Sequence, residues 1–285
     1  MLLYLAIALG AAAWRFIPRP WDPTAVVDTA HHRIYSTATH AQTEQTARTL
    51  ELLYDAYSDR LGALVGFESR HPLMQLKLFK DRREFRRIHP GVGWAEAFYK
   101  EPYCRAYYSA DESNPYHWIL HESVHQLNNE VANLSLEKWL EEGLALYFST
   151  SRVLANELAV GDIDPDSYPV WWIDKIATAT ELSDNLRNGS VIPLRVVVTN
   201  RGGPSLNSHV NLYYLHWWTL THFIFEHPHY REKSVELVQQ GGDLTTLERL
   251  LGPIERVQAE WHGHVRDLKA DLAGSHRRPS PREGQ

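Results

Sequence analysis

The stretch Trp118-Ile119-Leu120-His121-Glu122-Ser123-Val124-His125-Gln126-Leu127 sets two histidines four residues apart in a run whose apolar members recur at helical spacing. Asn114-Pro115 precedes it, and proline is tolerated in a first turn, so the period predicts a helix from there to about Glu130. Four residues turn a helix by about 400°, which stacks His121 and His125 on one face about 6 Å apart, able to hold one metal ion between them. Glu122 adjoins the first histidine and is angled toward the same cleft. A zinc ion on two protein nitrogens needs a third protein ligand, usually oxygen, and leaves a fourth position for water. Glu122 is then placed to take the proton from that water as it attacks a carbonyl.

Three matching letters in a histidine-rich chain do not make a site, so the surroundings decide. A second helix is expected from Ser135, as cap, to about Arg152, and it carries Trp139-Leu140-Glu141-Glu142-Gly143-Leu144-Ala145, carboxylates inside an otherwise apolar stretch. At these residues the sequence resembles the gluzincin zinc metallopeptidases, and within them the bacterial peptidase MA-like domain proteins. Those families pair H-E-x-x-H with a downstream W-x-x-E-G-x-A helix whose glutamate before the glycine is the third zinc ligand. Here that position is Glu142, with 16 residues between it and His125, while the adjacent Glu141 is the competing candidate. The match is specific over about Trp118 to Phe148 and looser over about Arg33 to Leu268. Tyr214-Leu215-His216-Trp217-Trp218-Thr219-Leu220 matches the start of a long helix that similar proteins carry.

The resemblance implies an α+β, gluzincin-like fold, in which a mixed β-sheet lobe with helices is followed by a mainly helical lobe, the active-site helix lying between them. It also implies one zinc ion per chain on His121, His125 and Glu142, and hydrolysis of a bond in a peptide or protein substrate with Glu122 as general base. An edge strand near Cys104 to Tyr108 is expected along the cleft, where it can pair with an extended substrate. For the oxyanion donor, Tyr214 is the first candidate and Tyr213 the second.

Composition is consistent with this chemistry. The 285 residues carry 29 Lys plus Arg against 35 Asp plus Glu, a net charge of −6 that argues against a nucleic-acid partner. With Cys104 the only cysteine, an intrachain disulfide or a cysteine-rich metal site is excluded, so metal chemistry must come from His, Asp and Glu. Leu2 to Trp14 is an unbroken apolar run, too short to span a bilayer unless it continues past Arg15, and is read as a signal peptide or signal-anchor. No basic residue precedes it apart from the N-terminus itself, and Arg15 and Arg19 follow it, the unfavourable side for export; a buried N-terminal helix is the alternative. The resulting expectation is an exported or membrane-anchored protein. Its division is 1–20 as the N-terminal segment, 21–272 as one two-lobed domain (21–112 and 113–272), and 273–285 as a disordered polar tail. Oligomeric state is not legible.

Along the rest of the chain the expected elements are a strand at Arg33 to Thr37, a helix at Ala41 to Leu61, a strand at Leu73 to Phe79 and a short helix capped by Asp81. Trp94 to Tyr99 and Tyr103 to Ser109 read as a hairpin or a pair of edge strands. Further helices are expected at Leu206 to Glu226, Arg231 to Gln239, Leu244 to Leu250 and Pro253 to Leu272, with loops at Gly161 to Pro169, Arg187 to Pro193 and Arg201 to Ser208. Asn128 and Asn129 can orient a ligand, or only end the helix. His117 reads as a partly exposed histidine and Cys104 as a buried small side chain. The pairs Trp171-Trp172 and Trp217-Trp218 read as core, with a sugar or apolar-peptide platform as the alternative. Lys80 to Arg87 reads as a solvated helix face.

Two competing functions remain in view. A catalytically silent relative would keep the fold as a binding or assembly module, although Glu122 is needed only for catalysis. A di-iron carboxylate protein would use Glu122-x-x-His125 with Glu226-x-x-His229, but Pro228 argues against helix through the second copy.

Overall fold

A computed structural model of the chain describes residues 21–93, 95–178 and 181–275. The expected N-terminal segment, Trp94 and the part of the expected tail beyond Ser275 lie outside the described residues. Among the described residues no helix is long and apolar enough to cross a membrane. The class is α+β, with a small mixed sheet built before residue 108 and mostly helices after it.

The sheet begins with β1 (Ala25–Asp28), antiparallel to β2 (His32–Ser36). β1 was not expected; its four residues include only the pair Val26-Val27 as a strand signal. Thr39 then starts α1 (His40–Leu61) with a reciprocal capping box to Gln42, and β3 (Met74–Phe79) returns parallel to β2. Asp81 caps α2 (Arg82–Ile88) through Glu84 N–H, as its position suggested. A two-residue turn then joins β4 (Ala97–Lys100) to β5 (Tyr103–Tyr107).

The strand order is β1-β2-β3-β5-β4. β5 runs parallel to β3 and is therefore interior, which corrects the expected edge strand near Cys104 to Tyr108. The hairpin folds β4 outside β5, so the free edge belongs to Ala97–Lys100. One sheet face buries Ile34, Leu76, Leu78, Ala97, Cys104 and Ala106 against Leu50 of α1 and Ile119 of the first helix after the sheet. Alternate residues Arg33, Tyr35, Gln75, Lys77, Tyr103 and Arg105 occupy the half-buried opposite face.

The helical part comprises α3 (His117–Glu130), α4 (Lys138–Ser149), α5 (Leu182–Asn188), α6 (Leu194–Thr199), α7 (Val210–Glu226), α8 (Arg231–Gln239), α9 (Leu244–Leu251) and α10 (Ile254–Ser275). α4 begins three residues after Ser135, because Glu137 N–H is committed to the Gly241 carbonyl and the chain before it stays non-helical. It ends at Ser149, where the backbone enters the hairpin of β6 (Ser151–Val153) and β7 (Leu158–Ile163), so part of the expected loop from Gly161 is strand. α6 was not anticipated, and α10 takes in the first three residues of the expected tail. Trp139, Trp217, Trp218 and Trp261 are fully buried in this part. Each such side chain contributes roughly 2–3 kcal/mol of burial, which makes α4, α7 and α10 the main hydrophobic mass of the molecule.

Candidate metal centre

Helix α3 has apolar residues on two flanks. Ile119 enters the sheet core, whereas Leu120, Val124 and Leu127 enter the core of the helical part. With both flanks used, the remaining stripe, His121, Glu122 and His125, faces the cleft between them. At the far end of α3, Tyr57 of α1 donates to Asn128 Oδ1 at 2.8 Å, and Asn129 Nδ2 donates to Tyr99 OH at 2.9 Å. The asparagines therefore fasten the helix to its neighbours and touch neither histidine.

Glu142 reaches the same cleft because α4 lies unusually close to α7. A Cβ at Gly143 would fall 2.1 Å from Thr221 Oγ1 and 2.9 Å from the Trp217 carbonyl, so only glycine permits this approach. The result is a cavity of about 280 Å³ lined by residues from β4, α3, α4 and α7: Phe98 and Tyr99; His121, Glu122 and His125; Glu141 and Glu142; and Tyr214.

Inside it the two imidazole Nε2 atoms stand 3.3 Å apart. Glu142 Oε2 is 3.5 Å from His121 Nε2 and 3.9 Å from His125 Nε2. One donor atom from each of these three residues lies within 4.8 Å of the others. Glu142 Oε2 is buried without a hydrogen-bond partner, a condition that costs about 1–3 kcal/mol unless something discharges it. Three converging lone pairs, two from nitrogen and one from a carboxylate, fit a divalent cation such as zinc. Glu141 stands on the other side of His125, with Oε1 3.7 Å from Nδ1 and half its side chain exposed, so of the adjacent glutamates Glu142 is the one in the donor group.

The charges favour the same occupant. Burial opposes a charged His121, but the neighbouring Glu142 carboxylate, helped by Glu122 and Glu141, outweighs it and raises the imidazole above its usual range. Burial likewise works against a charged Glu142, yet His121 and His125 hold it down at about 2. His125 is depressed to about 4 by burial and by His121. Three carboxylates thus face one half-exposed lysine, Lys138, whose Nζ is 3.9 Å from Glu142 Oε1, and the cavity is built to hold positive charge.

Glu122 accepts a hydrogen bond from the Tyr99 backbone N–H at 2.7 Å, across from the edge strand. Burial raises its carboxyl above the usual value, the direction that suits a general base. Burial and the Glu142 carboxylate, toward which the hydroxyl is directed, push the Tyr214 hydroxyl up, so it stays a protonated donor. Its ring lies 6.5 Å from that of His121. Tyr213 is excluded from the cavity: it is buried, and its hydroxyl donates to the Pro204 carbonyl at 3.0 Å.

Other sequence expectations resolve at the same scale. His117 is buried, not partly exposed, with Nδ1 3.1 Å from the Ser149 carbonyl, and it is outside the donor group. Cys104 is buried in the sheet core. The basic run of α2 is a solvated face with Arg82 and Arg86 on Glu96. α7 ends at Glu226, before Pro228, and Glu226 bonds to Arg60 and Tyr147, so the second E-x-x-H copy forms no metal group among the described residues. Trp217 and Trp218 are core, but Trp171 and Trp172 are 54% and 37% exposed, which corrects the core reading for that pair. Tyr99, Phe98 and Tyr168 were not singled out from sequence, since nothing in a short aromatic run says which ring will face a cleft. No protein-family model matches the chain, and no curated protein matches it.

Proposed function

We propose that the protein is a zinc-dependent metallopeptidase of the gluzincin kind, hydrolysing peptide bonds in the cavity between α3, α4, α7 and strand β4. The observation that carries this reading is the buried, unpartnered Glu142 Oε2 set against the two facing Nε2 atoms of His121 and His125. These three residues would hold one zinc ion. When bound, zinc polarises the substrate carbonyl and makes water nucleophilic at neutral pH. Glu122 takes the proton from the attacking water and passes it to the leaving nitrogen, its orientation set by the Tyr99 N–H. Tyr214 donates to the oxygen on which negative charge develops. Apart from the Tyr99 N–H, which Glu122 holds, the free edge of β4 beside the cavity offers backbone groups to an extended peptide. The apolar run Leu2 to Trp14 supports action outside the cytoplasm or at a membrane.

The test is metal content by elemental mass spectrometry on protein purified without added metal and then offered zinc, with His125→Ala alongside. A peptide-library digest compares wild type with Glu122→Gln. About one zinc per chain that His125→Ala loses, and cleavage that Glu122→Gln abolishes while keeping zinc, are expected. Undiminished cleavage by Glu122→Gln would sink the mechanism; zinc without any cleavage would leave a binding module.

A further inference from the structure

Next to the metal cavity a row of aromatic rings runs out to the surface. Tyr214, which lines the cavity, lies 5.7 Å from Tyr168; Tyr168 lies 5.4 Å from Trp118, nearly parallel to it, and 6.3 Å from Trp171. Trp118 in turn lies 6.4 Å from the His121 ring. Trp118 and Tyr168 are half-buried, and Trp171 is 54% exposed. Among the described residues, Trp171 and Trp172 are the exposed aromatic side chains, so the chain leaves its largest apolar groups in water at the mouth of this row.

The row is held rigid from behind. The short 3₁₀ turn Val170–Lys175 buries Val170 and Ile173, which forces Trp171 and Trp172 outward. Its entrance is pinned by the Val170 N–H to the Ser167 carbonyl at 2.8 Å and by Asn114 Nδ2 to the buried Ser167 hydroxyl at 2.9 Å. Tyr168 OH donates to Asn211 Oδ1 at 2.9 Å, which fixes that ring and uses up its polar handle. A flat apolar ledge fixed in advance binds another flat or bulky apolar group without paying for its own ordering.

We propose that Trp118, Tyr168 and Trp171 form the substrate-selecting subsite of this centre, and that it takes a large apolar or aromatic side chain one or two residues from the scissile bond. This rests on the peptidase reading above. The spacing fits, because an aromatic side chain attached beside a carbonyl held near His121 reaches the Trp118 and Tyr168 rings, and one residue further reaches Trp171. Charge narrows the class: Asp166 and Asp174 flank Trp171, Lys269 lies 3.4 Å from Asp174 and offsets one of them, and Glu141 and Glu142 lie at the cavity, so the balance is acidic and disfavours an acidic side chain.

The experiment is a mixed-peptide digest by the zinc-loaded full chain, sites read by mass spectrometry, with Trp171→Ala and Trp171→Phe compared. Zinc content and thermal midpoint are recorded for each, and cell-wall glycan fragments are titrated against tryptophan fluorescence. Wild type is expected to cleave within two positions of Phe, Tyr, Trp, Leu or Met. Trp171→Ala should lose that enrichment and raise KM on the best peptide about five- to tenfold, the loss falling on KM and not kcat, with zinc and midpoint unchanged. Trp171→Phe should recover most of it. Cleavage without such enrichment, or enrichment that survives Trp171→Ala, overturns the subsite while leaving the peptidase reading standing. Fluorescence changes with glycan but not with peptide also overturn it. Zinc-loaded protein that cleaves no peptide overturns both.

Discussion

Glu141 and Glu142 are neighbours in sequence with opposite surroundings. Glu142 Oε2 faces the two Nε2 atoms, while Glu141 faces Nδ1 of His125, the nitrogen a metal-bound imidazole uses to hold its orientation. The two should therefore separate experimentally. Glu142→Ala is expected to abolish stoichiometric zinc binding. Glu141→Ala should keep one zinc per chain but weaken its affinity about tenfold or more, measured by competition with a chelator. Equal losses for both variants would mean that the roles have been wrongly divided. At this scale the candidate donors were legible, because helical spacing alone puts His121 over His125, whereas the choice between adjacent glutamates rested on Gly143. Tyr99 was not legible: its contribution is a backbone N–H, which no side-chain pattern reports.

Among the elements, the crossing of α4 and α7 decides whether Glu142 meets the histidines at all. Gly143→Ala would drive a methyl group into Thr221 Oγ1 and the Trp217 carbonyl. Expected is a loss of about 1–3 kcal/mol in urea denaturation and weaker zinc binding, since α4 must move outward with Glu142 on it. Adding Thr221→Ala should recover part of both, because it removes one of the two obstacles. A Gly143→Ala protein with unchanged stability and zinc affinity would contradict this packing account. The long helices were read to within a few residues, since each has a sustained apolar stripe. The misses share a different cause. β1, β6 and β7 are three to six residues long and are strands only because a partner lies alongside, and β4 became the edge because of pairing that spacing along the chain does not encode.

For the whole molecule, several buried histidines make stability fall in mild acid. His216 donates from Nδ1 to the Leu212 carbonyl at 2.7 Å and accepts the Ile192 N–H at Nε2 at 3.0 Å, an arrangement only the neutral ring can make. Burial holds it at about 4, and burial with the neighbouring His121 holds His117 at about 3. Both values lie below the roughly 6.5 of an unfolded histidine. Their contribution is therefore fully present above pH 6.5 and is lost as pH falls toward 4. Between pH 7 and pH 5 each removes on the order of 2 kcal/mol. Denaturation of chelated protein at the two pH values should show this drop, and His216→Gln should flatten it; an unaltered pH slope in that variant would refute the assignment.

All three donor residues sit within the contiguous helix-loop-helix of α3 and α4, from His121 to Glu142, while the remaining cavity walls arrive from β4 and α7, and the Val170–Lys175 turn lies outside the cavity. In modular terms this separates two parts. The donor group belongs to one short segment, and the aromatic row beside it is built largely from others. On the proposed reading, replacing the Trp171 turn alone changes what is selected and leaves the three donors in place.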